Sequence, residues 1–179
     1  MTWREKASRV RRYVARRMRR IHLSLALAAI GLLATGVVVG QVIAGSGGST
    51  VTRAALAQST KVRGASGRTL GLSRVTIPVN GTIALHHHQG TQVAYIQSGV
   101  LTYTVKSGGV TVYSGPADNR TVVRKIDGGQ TGTISAGQWI VEQPSTIHRA
   151  ANKGKTKITI YLATLLKKGA PPSTPNPSS

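Results

Sequence analysis

The sequence predicts a mainly β protein: one β-sandwich or barrel domain preceded by a single N-terminal transmembrane α-helix. Three observations carry this. From residue 71 onward, short runs rich in Val, Ile, Thr and Tyr are separated by Gly-, Asn- and Ser-containing turns. Turns at intervals of about eight to twelve residues point to a sandwich or barrel. Residues 21–44 contain no Asp, Glu, Lys or Arg. Finally, His86, His88 and His148 fall in two strand-like runs where one face of a sheet can gather them.

Residues 1–20 hold nine of the 24 Lys and Arg. A basic cluster can be a nucleic-acid footprint, but directly ahead of an apolar span it is better read as a topology signal, so no nucleic-acid partner is expected. As a helix, residues 21–44 rise about 1.5 Å each and reach ~36 Å, enough for a hydrocarbon core of ~30 Å. The basic flank then makes residues 1–20 a cytoplasmic head. The helix becomes a single-pass signal anchor in the cell membrane, with the β-domain outside. Cleavage is the alternative fate. Val42 and Ala44, or Ala55 and Ala57, offer small residues at suitable spacing, which would leave a secreted domain. The apolar run is longer than the ~7–15 residues of a usual signal core, which favours retention.

Residues 45–70, rich in Ser, Thr, Gly and Ala, read as a flexible linker. Residues 71–165 carry the strands. The last of these places Ile158, Ile160 and Leu162 on one face. Residues 166–179, rich in Pro and Ser, read as a disordered tail. No internal repeat is present, so a single domain is expected. An open sheet edge could pair with a second copy, so a homodimer is a further expectation.

Composition closes off several chemistries. The chain has no cysteine, which excludes disulfides, thiolate ligands, a cysteine nucleophile and a lipid-modified Cys anchor. Its only acids are Glu5, Asp118, Asp127 and Glu142, giving a net charge of +20. Cations beyond residue 45 are read as solvated surface, with anionic polymers or substrates as the sharper alternative. The lack of Phe beside abundant Arg, Ala, Gly and Val fits a GC-rich bacterial genome.

The histidines carry the chemistry. In a strand His86 and His88 face one side while His87 faces the other. Imidazole is the commonest side-chain metal ligand, and His148 can close a facial set. His86-x-His88 is followed by Gln92 and Gly99; Pro144 precedes His148, which is followed by Asn152. This pair of runs resembles the two signature motifs of the cupin superfamily, over roughly residues 70–165. His86, His88 and His148 stand where that family has histidine ligands, and Gly99 and Asn152 where it has turn residues. Ser145 and Thr146 leave the glycine of the second motif unmatched, and Gln92 replaces the usual glutamate ligand.

The resemblance implies a single jelly-roll β-barrel with a divalent metal, whether Fe, Mn, Ni, Cu or Zn. In that site Gln92 offers only a neutral carbonyl oxygen, a fourth and weaker donor. Open coordination positions suit a small oxygenated molecule and dioxygenase- or isomerase-like chemistry. A non-catalytic ligand-binding or sensing module in the cell envelope remains the alternative, with a structural interaction domain a third reading. Glu142, six residues before His148, is either a general acid/base at the barrel mouth or an exposed strand residue, and the second reading is favoured. Trp139, Tyr95 and Tyr103 are expected in the core rather than lining a cavity.

Overall fold

The computed structural model describes residues 41–43 and 50–176. They form thirteen β-strands and one 3-10 turn, Ala117–Asn119. In chain order the strands are β1 (Gln41–Ile43), β2 (Val51–Ser59), β3 (Arg68–Ile77), β4 (Thr82–His87), β5 (Gly90–Ser98), β6 (Val100–Ser107), β7 (Gly109–Ser114), β8 (Thr121–Asp127), β9 (Thr131–Ser135), β10 (Gln138–Glu142), β11 (Ile147–Ala151), β12 (Ile158–Lys167) and β13 (Thr174–Pro175).

Two antiparallel sheets result, ordered β1-β2-β3-β12-β5-β10-β7-β8 and β13-β4-β11-β6-β9. Within them β3-β12-β5-β10 and β4-β11-β6-β9 are two facing sets of four. The chain crosses from one set to the other at almost every step, which is jelly-roll topology. The β7–β8 hairpin widens the larger sheet at one side and β1–β2 at the other, while β13 adds an edge to the smaller sheet.

Period-two alternation builds the core between the sheets. Ile77 on β3, Ile96 on β5, Val105 on β6, Ile134 on β9, Ile140 on β10 and Ile158 on β12 are all fully buried. Ile158, Ile160 and Leu162 share the inward face of β12, as the sequence predicts. Burial on this scale supplies the main stabilising term, about 25 cal/mol for each Å² of apolar surface removed from water. Two glycines let backbones approach. At Gly90 a Cβ would lie 2.3 Å from the Leu165 carbonyl oxygen, and Gly99 turns β5 into β6 at φ +81°.

Three sequence expectations need correction. Residues 45–70 are not a linker throughout, because β2 pairs with β3 along nearly its whole length. Its inward face is short: Val51 and Arg53 are buried, and small or polar residues follow, so the local pattern resembles a spacer. The domain is also wider than 71–165, since β3 starts at Arg68 and β12 ends at Lys167.

Nor are residues 166–179 simply a disordered tail. After β12 the chain turns back, and Thr174 and Pro175 pair with His87 and His86. Proline is tolerated in such an edge strand. Asn176 N–H donates to the Leu85 carbonyl, extending the strap by one residue. The transmembrane expectation for 21–44 falls largely outside the described residues. Within it, Gln41–Ile43 is a strand paired with β2. No helix among the described residues is long and apolar enough to cross a membrane.

Candidate metal centre

His86 lies on β4, His88 immediately after it, and His148 on β11 directly opposite His86. All three are buried, with His88 only 1% exposed. Their ring centroids are 4.2–5.2 Å apart, and one ligand nitrogen from each lies within 4.8 Å of the other two. His87 faces away and meets Asn176 Oδ1 through Nδ1 at 2.6 Å. The parity argument therefore places His86, His88 and His148 together.

Each ring is oriented by a backbone carbonyl. Nδ1 of His86 meets Ala84 O at 2.7 Å, that of His88 meets Pro172 O at 2.7 Å, and that of His148 meets Thr146 O at 3.3 Å. A carbonyl can only accept, so each Nδ1 carries a hydrogen; Nε2 presents a lone pair when the ring is neutral and donates when it is protonated. Burial lowers the pKa of His86 to about 3, assisted by His148 and His88. Burial also lowers that of His148, although Glu142 opposes it.

Glu142 is the largest departure from expectation. It is 3% exposed, not an outward strand residue. Its Oε1 lies 3.2 Å from His148 Nε2 and its Oε2 lies 3.4 Å from His88 Nε2. Burial works against its ionisation. His148, His88 and the Tyr103 hydroxyl outweigh that and hold the carboxyl below its ordinary range. Tyr103 O–H donates to Oε1 at 2.7 Å, and burial followed by the Glu142 charge raises the pKa of that hydroxyl. Gln92 donates from Nε2 to Glu142 Oε2 and to His88 Nε2, leaving its own buried Oε1 without a partner.

Counting hydrogens tests whether a cation fits. With the rings neutral, three Nε2 lone pairs face one another and the carboxylate lies against those of His88 and His148, yet only the Gln92 amide and the Tyr103 hydroxyl donate into the group. No hydrogen-bond donor among the described residues reaches Nε2 of His86 or His148. An electron-pair-rich, hydrogen-poor cluster of this kind is the donor set of a metal ion, and the residues fit one. Bonds of about 2.0–2.1 Å to imidazole would require the three nitrogens, within 4.8 Å of one another, to draw closer.

The carboxylate stands where the motif lacks one. β10 pairs with β5 so that Glu142 lies directly opposite Gln92. Where the motif has an acid at 92, the neighbouring strand brings one against His88 and His148. Its parity with buried Ile140 is the signal that could have placed it inward. Arg53, sharing the inward face of β2 with Val51, also lines the cavity and was not anticipated. Tyr103 is buried as expected, but it serves the cavity as well as the core; Tyr95 is exposed, and Trp139 packs on Tyr113 near the surface. Asn152 holds its turn through Ile77 O, Thr156 O and Gly154 N–H.

Fold and site together define a jelly-roll domain carrying a three-histidine group competent to hold a metal ion. Similar solved structures include a cupin superfamily protein from Desulfitobacterium hafniense, at 16% identity, 65% of this chain, 77% of that chain and TM-score 0.44. The polyketide cyclase RemF from Streptomyces resistomycificus is similar at 15% identity, 72% of each chain and TM-score 0.47. KdgF from Halomonas sp. is similar at 16% identity, 64% of this chain, 77% of that chain and TM-score 0.43. At these scores the likeness carries no argument for an activity or a ligand. No family model and no curated protein matches the sequence.

Proposed function

We propose that this is a cupin-type protein, tethered to the membrane by the part of the uncharged span that precedes β1, residues 21–40, whose barrel lies outside the cytoplasm and holds one divalent ion. His86, His88 and His148 are its ligands, Glu142 supplies the carboxylate, and Gln92 is the weaker fifth group. The excess of lone pairs over hydrogens in a buried cluster carries this reading. Both sequence motifs support it, and the uncharged span with its basic flank supports the tether.

Bound Fe, Mn, Ni, Cu or Zn would supply Lewis-acid polarisation of a small oxygenated molecule, as isomerase-like chemistry needs, and a redox-active ion among them would serve dioxygenase-like chemistry. Tyr103 and Gln92 hold Glu142 in place. Ile83, Leu101, Ile140 and Leu162 line the cavity and exclude water. The cavity is ≈ 40 Å³. Since one water needs about 10–15 Å³ on that measure, an ion and one or two small groups fill it. A non-catalytic binding or sensing module is the second reading. It is favoured by one observation: among the described residues lining the cavity, Glu142 is the only carboxylate. If it binds the ion, it is not free to move protons. Pairing of two copies through an open edge belongs to the same proposal. β8, with Val122 and Val123 exposed, is the candidate edge.

Elemental analysis of untagged full-length protein tests the ion. About one equivalent is expected, lost in the double substitution His88→Ala and His148→Ala. Protein that stays metal-free in excess Zn, Mn or Fe salt sinks the proposal.

A further inference from the structure

The cavity that holds the histidines also holds a buried cation. Arg53 is 8% exposed, and its side chain lines the same space as His86, His88, His148 and Glu142. Its Nε is buried without a hydrogen-bond partner. Glu142 acts on it through space but forms no ion pair with it. Much of the remaining lining is apolar, including Val75, Ile83, Leu101, Ile160 and Leu162. A buried N–H of a cation with no acceptor is costly to keep, because its hydration is lost and nothing replaces it.

We propose that Arg53 is the anion-receiving pole of the metal cavity and that the natural ligand is a small carboxylate. Its carboxylate meets the guanidinium and its short carbon skeleton lies on the apolar wall, with a second oxygen directed to the histidine end. This rests on the metal reading for that second oxygen and for the ion's share of the cavity's positive charge. Three observations point to the class. A planar guanidinium matches a carboxylate with two parallel hydrogen bonds. A cavity of ≈ 40 Å³ admits only a few heavy atoms beside an ion. Charge points the same way. A divalent ion and Arg53 together bring three positive charges against one from Glu142, and in a low-dielectric space that excess selects an anion. The surface can assist its approach, since the chain beyond residue 45 carries fifteen Lys and Arg against three acids.

The test titrates acetate, its neutral isostere acetamide and inorganic phosphate into full-length protein by calorimetry, with and without one equivalent of Zn. Wild-type protein, Arg53→Met and Arg53→Lys are compared. Acetate is expected to bind wild type at least tenfold more tightly than acetamide or phosphate. Arg53→Met should lose at least tenfold in acetate affinity while its ion content is unchanged, with Arg53→Lys between the two. Because the buried Nε lacks a hydrogen-bond partner, Arg53→Met should melt at or above the wild-type Tm. A fall of more than about 5 °C would make the arginine structural and overturn the inference. Equal acetate affinity in wild type and Arg53→Met overturns it too, as does phosphate binding as tightly as acetate. Arg53-dependent acetate binding in a protein that takes up no ion leaves this inference standing and sinks the metal reading alone.

Discussion

Glu142→Gln isolates the carboxylate at the centre of the site. The substitution keeps shape and one oxygen but removes the charge beside His88 Nε2 and His148 Nε2. At an effective dielectric near 20, a divalent ion and a carboxylate separated by about 4 Å attract by about 8 kcal/mol. The neutral amide oxygen of the substitute recovers part of this as a weaker donor. The difference, about 3 kcal/mol, corresponds to roughly a hundredfold weaker Kd. Competition with a chromogenic chelator, using Zn and Mn, reads this directly. The double substitution Glu142→Gln with Gln92→Glu returns the charge to the facing position on β5. It should recover affinity to within about tenfold of wild type, since the charge is restored at a similar distance. Tight binding by Glu142→Gln together with loss of binding in His88→Ala would falsify the assignment of the carboxylate as a ligand, and failure of the exchange to rescue would show that position, not charge, matters.

Metal-free protein should lose stability on acidification. His86 has a folded pKa of about 3 against an ordinary 6.5, so between those values the unfolded chain binds the extra proton and stability falls as pH falls. From pH 7 to pH 5 this group alone accounts for about 2 kcal/mol. Glu142, depressed in the folded state, adds a loss only as pH drops below its ordinary value. Urea denaturation at the two pH values checks the sign, and a midpoint that rises on acidification contradicts it. Ending the chain at Ala170 removes the carbonyl that orients His88. Loss of such a supporting contact weakens metal binding by about 10–100-fold, seen as faster release to a chelator, and an unchanged release rate counts against the strap's role. Because the chain has no cysteine, a single Cys replacing Ser66 reports topology. It should react with a membrane-impermeant maleimide on intact cells, whereas protection until lysis places the domain inside.

Local sequence revealed some of this site and hid the rest for physical reasons. His86 and His88 were legible because strand parity is a two-residue rule, and the inward face of β12 because three large aliphatic residues alternate cleanly. β2 was hidden since, after Val51 and Arg53, its side chains are small and mostly exposed, and pairing with β3 is set by distant residues. The strap was hidden because Pro and Ser signal disorder unless a sheet edge is at hand to receive them. Glu142 was misplaced because an acid on a strand normally faces water. Only the β10–β5 register brings it against Gln92, His88 and Tyr103.

The facing of Gln92 and Glu142 has an evolutionary reading. Two inward positions on adjacent strands look onto the histidine group, so a bound ion would need a single negative charge from the pair without dictating which member bears it. A lineage can pass the acid from one strand to its neighbour through an intermediate with two acids or none, changing affinity for a time and leaving the metal where it was. Coordination would then be inherited as a place in the barrel rather than as a letter in a motif. Relatives that have made this exchange would be overlooked by any search for the acid at its accustomed position.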